Sequence, residues 1–122
     1  MRIVTRAEFL AMPAGTVFAK YEPCVFELMQ IKGKSLIFDD GGGDYCYQDI
    51  IDAIDSTGSG DSMDKLEMAE KEGVSLAMNF HCQGRDGCYD KDQLFAVLEH
   101  ADVEALIERL KQALSEARSG DE

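Results

Sequence analysis

The strongest periodic signal in the chain lies at its C-terminal end. Over residues 101–118 the apolar side chains Val103, Leu106, Ile107, Leu110 and Leu114 recur at helical spacing, with Glu104, Glu108, Arg109 and Lys111 turned outward. This predicts a long amphipathic helix. The residues before it differ in kind, being short alternating or β-branched and aromatic runs cut by Gly, Pro and Asp. Strands are expected over 16–22, 25–31, 35–38, 45–51, 74–80 and 93–99. The fifth rests on the alternation of Val74, Leu76, Met78 and Phe80. Thr5-Arg6-Ala7-Glu8 reads as a capping box that opens a short helix, ended by Pro13-Ala14-Gly15. A middle helix is expected over 63–72, with Gly73 at its left-handed end. Lys32-Gly33-Lys34 reads as a turn and 39–44, with its three glycines, as a loop. The connections are mostly too short for parallel crossovers, so the sheet should be largely antiparallel. The expected class is α+β: a mostly antiparallel sheet of about six strands with a short N-terminal helix, a middle helix and a long C-terminal helix. One domain is expected over 1–118, with a frayed tail at 119–122.

Charge narrows the function. Among 122 residues, 24 are acidic and 12 basic, a formal net charge of −12, which excludes a large basic footprint for duplex DNA. No apolar run approaches the ~18–20 residues of a membrane span. The N-terminal residues lack the apolar stretch of a secretory signal, so a cytoplasmic location with reduced thiols is expected. Cys24, Cys46, Cys82 and Cys88 form no CxxC pair; free structural thiols are the favoured reading, with a metal site or a disulfide as alternatives.

Residues 81–92 are the densest chemical segment. A zinc site from His81, Cys82 and Cys88 is disfavoured, because adjacent ligands point to opposite faces of a strand. Asp86, Asp90 and Asp92 lack the alternate spacing of a calcium loop. His81 and His100 sit in no triad or nucleophile-elbow context, and no phosphate-binding glycine motif is present. Asp49, Asp52 and Asp55 at spacing three read as a solvated, helix-like face. No catalytic residue, metal or cofactor is therefore expected. A binding reading is better supported. Gly84-Arg85-Asp86-Gly87 is a turn that presents a guanidinium fork suited to phosphate, Phe80 precedes it as a stacking candidate, and Asn79 or Asp90 can reach ribose hydroxyls or a base edge. The alternative is that Phe80 is core, with Leu76 and Met78, and that Arg85–Asp86 is a surface ion pair. Lys20, Lys32, Lys34, Arg85 and Arg109 are the cations available to converge on an anion.

Thr5-Arg6-Ala7-Glu8-Phe9-Leu10, Pro13-Ala14-Gly15-Thr16-Val17-Phe18, Tyr21-Glu22-Pro23-Cys24-Val25-Phe26, Gly84-Arg85-Asp86-Gly87 and Asp92-Gln93-Leu94-Phe95-Ala96-Val97 together give the chain its texture. In that texture, over most of its length, it resembles the type 1 Thoeris anti-defence family of small phage and prophage proteins. The resemblance implies a sponge that binds a cyclic ADP-ribose isomer intact and so keeps a host immune effector from being switched on. It also implies an antiparallel sheet with C-terminal helices, homo-oligomers built from dimers and, in some members, separate sites for cyclic di- or trinucleotides. The family pocket combines an aromatic residue, an amide and arginines near a subunit interface. By that likeness Phe80 is the aromatic, Arg85 and Arg109 are the phosphate partners, and the amide position falls on Asp90. A carboxylate there is a departure, since it repels a diphosphate.

A rival expectation belongs to another class. Carboxylates spread over 39–64 could imitate a phosphate ladder, making the chain an acidic inhibitor or nucleic-acid mimic aimed at a basic groove on a host protein. A cyclic-nucleotide hydrolase rests only on His81 and the carboxylates.

Overall fold

A computed structural model describes residues 1–40, 42–81 and 84–120. The expectations placed on Cys82 and on the tail residues Asp121 and Glu122 fall outside the described residues. The elements in chain order are β1 (Arg2–Val4), α1 (Arg6–Leu10), β2 (Val17–Glu22), β3 (Val25–Phe26), β4 (Gln30–Ile37), β5 (Gly43–Asp49), α2 (Ser59–Glu72), β6 (Gly84–Arg85), β7 (Leu94–Val97) and α3 (His100–Gly120). The strands form one sheet in the order β1-β7-β2-β4-β5-β6, with β3 paired to β2, and every pairing is antiparallel. The α+β class holds.

One short helix closes the core. The Thr5 hydroxyl accepts from the Glu8 N–H at 3.2 Å while the Glu8 carboxylate accepts from the Thr5 N–H at 3.2 Å, so α1 forms despite having only five residues. It lays Phe9, fully buried, on the sheet. The Phe9 ring stacks on Phe95 at 4.0 Å between centroids and meets Phe18 at 4.6 Å and Tyr45 edge-on at 5.0 Å. Val4 and Val97 complete the cluster. Each ring comes from a different element, so this contact set joins α1, β2, β5 and β7.

Several expectations change. The strand expected over 25–31 is broken at 27–29, between β3 and β4, and β5 begins at Gly43, inside the expected 39–44 loop. Residues 2–4, for which no strand is expected, form an edge strand: Ile3 pairs with Ala96 and Val4 with Phe95. Lys32-Gly33-Lys34 is no turn; β4 runs through it with an irregularity between Lys32 and Ser35, where the buried Lys32 ammonium donates to Gly33 O at 3.1 Å and Ser35 Oγ at 2.7 Å. Residues 74–80 do not form a strand beyond the single bridge between Ile54 and Met78, because the alternating face has nothing to cover it: Val74, Met78 and Phe80 stay 41–49% exposed. Asp52 and Asp55 lie outside any helix, and Asp49 ends β5, so the three do not share a helical face. At the other end of β5, Gly43 is required by packing, since a Cβ there would lie 2.7 Å from Leu36 O. Gly73 adopts φ +68° and its N–H closes α2 on Ala69 O at 2.9 Å, as expected of that position. No described helix is long and apolar enough to cross a membrane.

Candidate functional site

The segment after β6 folds back over the start of β5, and a buried carboxylate holds it there. Asp44, fully buried, accepts from its neighbour's Tyr45 N–H at 2.8 Å, from Gly87 N–H at 3.1 Å and from Arg85 Nε. Burial opposes the charged form, but these donors together hold the Asp44 carboxyl below the ordinary aspartate range. Arg85 then donates through Nη2 to the Tyr89 hydroxyl at 2.8 Å. Tyr89 sits at φ +56°, a left-handed conformation that costs a side-chain-bearing residue about 1–2 kcal/mol.

A second carboxylate binds the rest of the cluster. Asp86 takes the Lys20 ammonium at 2.6 Å and faces Arg6 Nη1 at 3.5 Å, while Arg6 Nη2 donates to Gly43 O at 3.0 Å. Burial lowers and the Asp86 contact raises the affinity of Lys20 for its proton, and the contact prevails. Burial and the neighbouring Asp86 carboxylate push the Tyr45 hydroxyl far up, so Tyr45 is neutral. Three cations thus surround two carboxylates in a chain whose net charge is −12.

A cleft of about 600 Å³ opens beside this cluster, with Arg6, Leu10 and Gly43 among its lining and Phe38, Tyr89 and Lys91 at its sides. The two rings are 39% and 47% exposed, with centroids 5.8 Å apart at 47°. Lys91 has no carboxylate within ion-pair distance among the described residues. Asp40, also at the edge, is turned back on its own segment, accepting from Gly42 N–H at 2.8 Å. Such a cleft can stack a flat ring and neutralise an attached anion. Another cleft of about 540 Å³ lies by Lys20 and Tyr47, but Glu27, Asp49 and Asp86 line it against that one lysine, so it repels anions.

The five residues expected at a site are dispersed. Arg85 belongs to the cluster, bound to Asp44 rather than to its neighbour Asp86. Phe80 is half exposed, outside the aromatic core. Asn79 accepts from His81 N–H at 2.9 Å and Asp90 from Asp92 N–H at 3.0 Å, both shaping their own turns. Arg109 pairs with Glu116 along α3 at 3.6 Å. Among the described residues no hydrogen bond or ion pair joins any two of the five. Of the other cations weighed, Lys20 reaches the cluster, Lys32 is buried in β4 and Lys34 is exposed. Phe38, Tyr89, Lys91 and Arg6 were not expected. The signal available for two of them was an aromatic residue flanking each polar loop, Phe38 before Asp39-Asp40 and Tyr89 after Gly87-Cys88. Cys24 and Cys88 are exposed free thiols and Cys46 a half-buried one. Comparison with protein-family models, curated proteins and solved structures found no match.

Proposed function

We propose that this chain is a non-catalytic anti-defence protein of phage or prophage origin that sequesters a cyclic ADP-ribose isomer, uncleaved, in the host bacterial cytoplasm. The observation that carries the reading is the cleft in which two half-exposed rings, Phe38 and Tyr89, stand beside the Lys91 ammonium, which has no ion-pair partner among the described residues. The likeness of its sequence texture to type 1 Thoeris anti-defence proteins supplies the ligand class. Capture needs only affinity: the rings stack the adenine, worth about 1–3 kcal/mol per base, and Lys91 faces the diphosphate. No bond is made or broken.

Calorimetry with cyclic ADP-ribose isomers tests the site. Phe38→Ala and Tyr89→Ala are each expected to weaken binding roughly 5- to 100-fold, the equivalent of one lost stack. Lys91→Ala should weaken it and flatten its salt dependence. Wild-type affinity in both ring variants would remove this cleft from the site. Failure of every isomer to bind would favour the acidic-inhibitor reading, for which the exposed carboxylates of Asp52, Asp55 and Asp64 are available.

A further inference from the structure

We infer that two clefts adjoining at Tyr47 form one groove that receives a basic segment of a partner polypeptide, in which lysine or arginine alternates with apolar side chains. The inference stands independently of the cyclic-nucleotide reading, whose cleft is the one at Phe38 and Tyr89. One of the two clefts, of about 540 Å³, is flanked by Phe26 and Leu28. The other, of about 490 Å³, lies between the residues around Ile54 and the first turns of α2, with Met63 and Leu66 on its wall. Tyr47 and Asp49 line both, so the two run into each other. Phe26, Leu28, Met63 and Leu66 are 56%, 65%, 70% and 46% exposed, and α2 buries none of its residues. Apolar side chains grouped along a groove in this way mark an interaction site.

Charge selects the partner. Glu27, Asp49 and Asp52 stand on these walls with no lysine or arginine within ion-pair distance among the described residues. Asp49 accepts from the neutral Gln30 amide at 2.8 Å, which leaves its charge uncancelled. Lys20, the one cation on the walls among the described residues, is held by Asp86 at 2.6 Å. The surroundings carry the same sign. Residues 49–72 contain eight carboxylates and two lysines, so half of the net charge of −12 lies in this stretch. Both lysines are tied down, Lys65 by Asp61 at 3.3 Å and Lys71 by Glu67 at 2.8 Å. The field reaches Tyr47 itself: burial, then the Asp49 and Asp86 carboxylates, raise its hydroxyl above the ordinary tyrosine range. A nucleotide, an anionic lipid surface and the like-charged face of a second copy are all repelled, and a cation is drawn in. A small free cation would meet the carboxylates but leave the apolar walls wet. A polypeptide covers both, with apolar side chains over Phe26–Leu28 and Met63–Leu66 and an ammonium or guanidinium between them at Asp49 and the Tyr47 ring.

Fluorescence anisotropy of a labelled peptide of alternating leucine and lysine, titrated with the full chain, tests this. Saturable binding is expected, and none for the same peptide with glutamate in place of lysine. Asp49→Asn combined with Asp52→Asn should weaken binding roughly tenfold and flatten its salt dependence. Glu104→Gln combined with Glu108→Gln, an equal change of charge on α3, should leave it within about twofold. Phe26→Ser and Met63→Ser, one in each cleft, should each weaken it roughly fivefold or more. Both side chains are more than half exposed, so the circular dichroism spectrum should not change. Phe38→Ala, in the other cleft, should have no effect. The proposal is overturned if the peptide fails to bind wild type, binds the double carboxamide variant as tightly, or responds to only one of the two serine variants. A lysine-only peptide that binds equally well would also overturn it, by reducing the groove to its charge. So would a wild type that self-associates through Met63 and excludes the peptide, since a second copy would then be the occupant.

Discussion

Asp44 ties the segment after β6 to the start of β5. It is fully buried and takes donors from Arg85 and Gly87, forty-odd positions away, so its charge holds the 84–89 segment on the sheet and sets Tyr89 through Arg85. Asp44→Asn keeps the shape but leaves the Arg85 guanidinium and the Gly87 N–H facing a neutral group, and because the Arg85 side chain is half exposed the cost falls below that of a fully buried pair. We expect a loss of about 1–2 kcal/mol in denaturant unfolding at neutral pH. The pH dependence follows from the depressed acidity. Because the folded carboxyl lies below the ordinary aspartate value of 3.8, its contribution is fully present above that value. It is lost as pH falls through the lower, folded value. The gap in stability between wild type and Asp44→Asn should therefore persist down to about pH 4 and shrink below it. A gap that closes near neutrality would show that another group carries the dependence.

At the scale of elements, α1 is the shortest helix and the most consequential. A five-residue helix is unstable alone, and it forms here because its cap satisfies two backbone donors and Phe9 fills the sheet's aromatic cluster. Thr5→Ala should cost about 1 kcal/mol and Phe9→Ala about 3–5 kcal/mol in urea unfolding. Near-equal losses would contradict the division of labour between cap and core. The capping box, the α3 period and the β2 and β7 strands could all be read from the sequence because each signal is local. The 74–80 run misleads for the converse reason, since alternation records a half-apolar strip without saying that a sheet edge exists to cover it. Lys32-Gly33-Lys34 misleads because a lysine buried on Ser35 and the Gly33 carbonyl looks, in sequence, like a solvated turn. The ion cluster was illegible. Arg6, Asp44 and Asp86 are joined only by tertiary contact, and Arg85 passes over its adjacent carboxylate for one 41 positions away.

Over the whole molecule, a net charge of −12 slows the approach of an anion but does not forbid its capture, because screening confines exposed charge to about 8–10 Å. What decides is the local balance: Arg6, Lys20 and Arg85 are held by Asp44 and Asp86, while Lys91 at the cleft has no carboxylate within ion-pair distance among the described residues. The sheet positions that cleft at the β5 end, while α3 leaves Ile107, Leu110 and Leu114 exposed. Sequestration is the central claim, and one measurement addresses it directly: saturate the purified protein with a cyclic ADP-ribose isomer, wash, denature by heat and identify what is released. The account predicts saturable retention and recovery of the unchanged cyclic compound. Recovery of a linear or hydrolysed product, or no retained compound with any isomer, would contradict it.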